Sequence, residues 1–184
     1  MDIEGRGKAL ESAFFGRRDQ KLLQKLKAEI DGKESRDVMR SVSGIEDDAV
    51  LDKLIAAGVT AESLSAVSLI PLVAVAWCDD SLESTEKATI LEAAKSSGIA
   101  EGSAAAALLS SWLESRPGNE LLDSWKSYVG GLKEQLDESS FAQVRTSVIK
   151  RAEAVADAAG GFLGMGKVSD KEKKAIADLA AAFG

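Results

Sequence analysis

Three features of this 184-residue sequence predict an all-α fold. Apolar residues recur at helical spacing along most of the chain. Only two prolines interrupt it, and the strong helix formers alanine, leucine, lysine and glutamate are abundant. No stretch alternates apolar and polar residues between turn signals, the pattern of a strand. Together these predict a compact multi-helix bundle of at least eight helices without a sheet.

The elements follow in order. Leu10, Phe14 and Phe15 form a first short apolar face, and Leu22, Leu23, Leu26 and Ile30 a second, with charges opposite. Val38, Met39 and Val42 sit in a short segment between Gly32 and Gly44. A punctuation then recurs at Gly44-Ile45, Gly58-Val59 and Gly98-Ile99. Glycine takes the left-handed position that ends a helix, and the apolar residue after it packs back on that helix. Thr60 reads as the N-cap of the next helix, the most apolar one, which runs to Trp77. Pro71 inside it should kink it or remove one hydrogen bond.

A helix after Glu83 ends near Gly98, and another runs from about Glu101 to Glu114, stopped by Arg116-Pro117-Gly118. Leu121 to Leu136 follows, weakened at Gly130-Gly131. Phe141 to Ala159 is next, with Ser140 and Gln143 spaced as a capping box. The last helix begins near Ser169, with Glu172 completing its capping box, and ends at Phe183. Trp112, Trp125 and Tyr128 lie among Leu113, Leu121 and Leu122, as interhelix packing residues would. The chain divides into an N-terminal helical extension, 1–58, and a helical domain, 59–184.

Composition excludes several functions. Hydrophobic residues at 45% and charged residues at 29% are ordinary for a globular chain. The net charge is -7, and no dense Lys/Arg cluster offers the cationic face that nucleic acid needs. Cys78 is the only cysteine, so no intrachain disulfide forms, which fits a reducing, cytoplasmic location. The start, Met1-Asp2-Ile3-Glu4, lacks an apolar signal segment. The longest apolar run, Ala66 to Cys78, falls short of the roughly twenty residues of a membrane span and reads as a buried helix, so membrane insertion is not expected. Absence of histidine removes Ser-His-Asp and Cys-His systems and most catalytic zinc sites. Asp79 and Asp80 beside Cys78 disfavour a thiolate, leaving a structural cysteine. Gly161 to Lys167 matches most of a phosphate-binding loop, but Val168 stands where a magnesium-binding hydroxyl belongs, and a helix precedes it instead of a strand. These glycines read as a turn.

The acidic turn from Asp79 to Glu86 is the sharpest feature. Its oxygen donors suit calcium or magnesium, with Asp79, Asp80, Glu83 and Glu86 as candidate ligands. It is no EF-hand, because Ser84 replaces the glycine of the sixth position and Ile90 the glutamate of the twelfth. The same carboxylates also serve a helix N-terminus as caps and dipole partners. Ser81 to Ala94, SLESTEKATILEAA, is echoed by Lys167 to Ala180, KVSDKEKKAIADLA. Leu82 pairs with Val168, Glu86 with Glu172, Lys87 with Lys173 and Ile90 with Ile176, as in a duplicated helical hairpin.

The stretch from Leu72 to Glu86, LVAVAWCDDSLESTE, resembles the TerB-like, tellurite-resistance-related family. There an apolar helix ends in alanine and aspartate, followed by a glycine-type turn, an aliphatic residue and a glutamate early in the next helix. Asp79 matches the aspartate, Leu82 the aliphatic residue and Glu86 the glutamate, while Asp80 stands at the glycine. The second copy keeps Gly166, Val168 and Glu172 but carries Met165 at the aspartate, which implies a lost ligand. The resemblance covers about Thr60 to Phe183 and makes residues 1–58 an extension of the kind seen in related proteins. It implies an all-helical fold with a divalent-cation site, linked to stress or metal-oxyanion resistance, and no known reaction.

Three functions compete at this level. One is a non-enzymatic scaffold with a weak calcium or magnesium site. Another is a purely structural module for an unidentified protein partner. The third, an enzyme, lacks a coherent nucleophile or cofactor motif. The sequence sets no oligomeric state.

Overall fold

The computed structural model describes residues 2–15, 21–22, 24–25, 35–80, 82, 84–96, 99–116, 118–162 and 168–184, with the backbone alone at 15, 35, 85–86 and 158–162. Nine helices stand among the described residues, with no strand. They are α1 (Ile3–Phe15), α2 (Ser35–Ser43), α3 (Asp48–Ala56), α4 (Ala61–Ala76), α5 (Ser84–Ser96), α6 (Ala104–Leu113), α7 (Asn119–Gln135), α8 (Glu138–Phe162) and α9 (Asp170–Ala181). Most of the segment carrying Leu23, Leu26 and Ile30 lies outside the described residues, as do Met165 and the rest of 163–167, while Gly161, expected in a turn, belongs to α8.

The fold is organised around α4. A helix apolar on all sides must be enclosed by others, and only Glu62 and Ala74 of α4 are not buried. Around it pack α1, α2, α6, α7, α8 and α9. Thr60 caps it as expected, its hydroxyl accepting the Ser63 N–H at 3.0 Å. Glu11 on α1 accepts both the Thr60 and Ser63 hydroxyls, at 2.8 and 2.7 Å, tying α1 to the same helix end. Pro71 removes the N–H that would bond the Val67 carbonyl. The indole of Trp125 on α7 replaces that donor at 3.1 Å.

The glycine–aliphatic joints at Gly44 and Gly58 serve as expected, while Gly98 lies outside the described residues. Gly58 takes φ 76°, its N–H and that of Val59 bond the Ile55 and Leu54 carbonyls, and Val59 is buried. The Ile99 N–H reaches back to the Ala94 carbonyl in the same way, and Ile45 and Ile99 are also buried. The last carbonyls of α2 are met from α8. Arg151, itself buried, donates to Val42 and Ser147 to Ser43, at 3.2 and 2.8 Å. Desolvation lowers the Arg151 pKa to about 10, so it stays protonated at neutral pH.

Two expectations are corrected. Gly130-Gly131 does not weaken α7, which runs through both. Gly131 lets α1 approach, for a Cβ there would sit 3.0 Å from Arg6 Cδ and 3.1 Å from Ile3 Cδ1. The cap before α8 is Asp137 and not Ser140. Asp137 accepts the Ser140 N–H and hydroxyl at 3.0 and 2.9 Å, while Gln143 turns away to Asp47. Lys53 at 2.5 Å, with those two bonds from Ser140, holds the Asp137 carboxyl below the usual range. Leu10, Phe14, Val38, Met39, Val42, Leu51 and Leu54 belong to the same core as α4.

The two echoed segments differ in packing. α8 and α9 pack on each other, whereas α5 leaves α4 to lie on α8 and α6. Ile90 is fully buried and its counterpart Ile176 only half-buried. The second copy does form its capping box, with Ser169 accepting the Glu172 N–H and Glu172 accepting the Ser169 N–H.

Candidate functional site

The acidic turn begins where α4 ends, at Trp77. A helix C-terminus carries partial negative charge, so Asp79 and Asp80, both exposed, add like charge and favour a neighbouring cation. Arg116, after α6, meets the carboxylate of Asp80. Asp80 also takes φ 69°, the one described residue other than glycine at positive φ. Aspartate visits this left-handed region more readily than most residues. Leu82 is half-buried against the core, turning the chain toward α5. Glu86 lies in the first turn of α5, its side chain outside the described residues, and Glu83 lies outside them altogether. Of the four candidate ligands, Asp79 and Asp80 are therefore placed together, with Asp80 occupied by an arginine.

Sequence reasoning read Arg116 only as part of a helix stop. No local pattern could reveal its partner, because the two residues meet across separate helix ends.

Cys78 adjoins this turn. It is half-buried, and its thiol pKa is pushed up to about 11, chiefly by desolvation and further by Glu172 and Asp79. The thiol is therefore protonated at neutral pH, as its acidic neighbours suggest. Trp112 stacks on Phe14 at 5.6 Å, and Trp77 donates to its carbonyl at 3.1 Å. Trp125 and Tyr128 are buried, as their helical spacing predicts.

Beside the turn opens a cleft of about 400 Å³. It is lined from α4 and the turn after it by Ile70, Ala74, Trp77 and Cys78, from α7 by Leu121, Leu122 and Lys126, and from α9 by Lys171, Lys174, Ala175, Asp178 and Leu179. Arg116 and Asp80 also line it. Its volume and apolar lining with a few charged groups are those of a small-molecule site. No known protein family, curated protein or solved structure matches the chain.

Proposed function

We propose that this chain is a non-enzymatic, cytoplasmic helical scaffold or interaction module whose acidic turn acts as a structural clasp. The pairing of Asp80 with Arg116 carries this reading. It neutralises charge at the negative end of α4 and joins the end of α6 to it. Other reactive groups are likewise engaged in architecture: Cys78 holds its proton, Asp137 caps α8 and Glu172 caps α9. A role in stress or tellurite resistance, with an as yet unidentified protein partner, rests on the resemblance to TerB-like proteins alone.

A second reading keeps a weak calcium or magnesium site in the turn, with Asp79 as principal ligand and Glu86 approaching from α5. It is favoured by the consecutive carboxylates at a helix C-terminus, of which Arg116 neutralises one. Thermal unfolding separates the two readings. For the clasp, an Asp80→Asn, Arg116→Gln double-mutant cycle gives a coupling of about 0.2–1 kcal/mol, as exposed pairs do, and calcium leaves the midpoint unchanged. For the cation site, calcium or magnesium raises the midpoint and Asp79→Ala abolishes the rise. Zero coupling with no cation response would remove both roles from the turn.

A further inference from the structure

We propose that the cleft between α4, α7 and α9 binds a small amphipathic anion, with a straight apolar tail and a single carboxylate-type head. The chain has net charge -7, yet among the described residues of its lining the cleft gathers Arg116, Lys126, Lys171 and Lys174 beside Asp80 and Asp178. The two acids are already matched, Asp80 by Arg116 and Asp178 by Lys174 at 2.7 Å. Lys126 and Lys171, from different helices, make no ion pair among the described residues. Asp79 and Glu172 also act on Cys78 in this lining, so what the cleft offers an anion is the pair of ammonium groups of Lys126 and Lys171 at its rim, not a net positive field.

Below the charged rim the lining is apolar. Ile70, Leu121 and Leu179 are buried, and Trp77 and Leu122 are half-buried beside them. Lysine stems extend such a surface while holding the ammonium group at the water boundary. A carboxylate at the rim with its tail along this lining satisfies both parts. An inorganic anion would leave the apolar lining wet, and a neutral lipid would leave the cations unused. A second copy of this chain would need an acidic side chain on a protruding apolar segment, whereas Ile55, on α3, is the one large hydrophobic residue that is exposed among the described residues.

The single cysteine provides the assay, because Cys78 lies in the cleft lining. Its alkylation by a maleimide at mildly alkaline pH is followed in the intact protein with decanoate as probe. Decanoate is expected to slow alkylation about tenfold at saturation and to change the tryptophan emission, with affinity rising roughly threefold to fourfold for each methylene from hexanoate to decanoate. Decylammonium and decanol should protect at least about tenfold more weakly. Lys126→Glu combined with Lys171→Glu should weaken decanoate by about tenfold or more with an unchanged melting midpoint, since both lysines are exposed. Absence of protection, equal protection by decylammonium, or undiminished affinity in the double variant would each overturn the proposal. So would a stable dimer in sedimentation that shields Cys78 without any ligand.

Discussion

Pro71 leaves the Val67 carbonyl without its helical donor, and the Trp125 indole supplies the missing bond at 3.1 Å. An unsatisfied buried carbonyl costs about 1–3 kcal/mol, and shrinking a core tryptophan adds a cavity term. Trp125→Phe is therefore expected to destabilise the protein by roughly 2–4 kcal/mol. Pro71→Ala restores a main-chain N–H to the same carbonyl. Its effect should be more favourable by about 1 kcal/mol in the Trp125→Phe background than in the native one. Urea unfolding of the four proteins measures this coupling, and a value of zero would separate the indole from the proline. The sequence announced the lost bond at Pro71. It could not announce the donor, which comes from another helix 58 residues away.

At the scale of elements, glycines inside helices divide into two kinds. A Cβ at Gly130 would meet only Arg6 Nη1, at 3.9 Å, whereas one at Gly7 would meet Ser63 Oγ at 3.1 Å and Tyr128 Cε2 at 3.3 Å. Both substitutions by alanine gain about 0.8–1 kcal/mol of helix propensity. At Gly7 that gain opposes an overpacking cost of about 1–3 kcal/mol, because Tyr128 and Ser63 are buried and cannot move aside. Gly130→Ala is thus expected to raise the thermal midpoint and Gly7→Ala to lower it. Equal shifts of the same sign would show that α1 does not depend on close approach to α7 and α4. Helix ends were legible wherever local hydrogen bonds decide them, as at Thr60 and Ser169. The start of α8 was misread because Asp137, Ser140 and Gln143 all suit a cap, and Lys53 and Asp47 from α3 and the turn before it select among them.

For the whole molecule, the decisive feature is that α4 is buried on every side, with α1 and α2 supplying part of its cover. A fragment of residues 59–184 would expose the apolar surface that Leu10, Phe14, Val38 and Met39 cover. Such a fragment is expected to bind a hydrophobic dye and to melt without a sharp heat-absorption peak, while the full chain unfolds cooperatively. A cooperative transition in the fragment, at a midpoint near that of the full chain, would make 1–58 a true appendage. The sequence by itself determined the helical class, most helix limits and the buried character of α4, because each follows from local spacing or immediate neighbours. Only the tertiary structure decided that Arg116 meets Asp80, that the echoed segments pack differently, and that four cations gather over one apolar cleft. Those outcomes depend on which helix faces lie together, and helical periodicity identifies a face as apolar without naming the face that covers it.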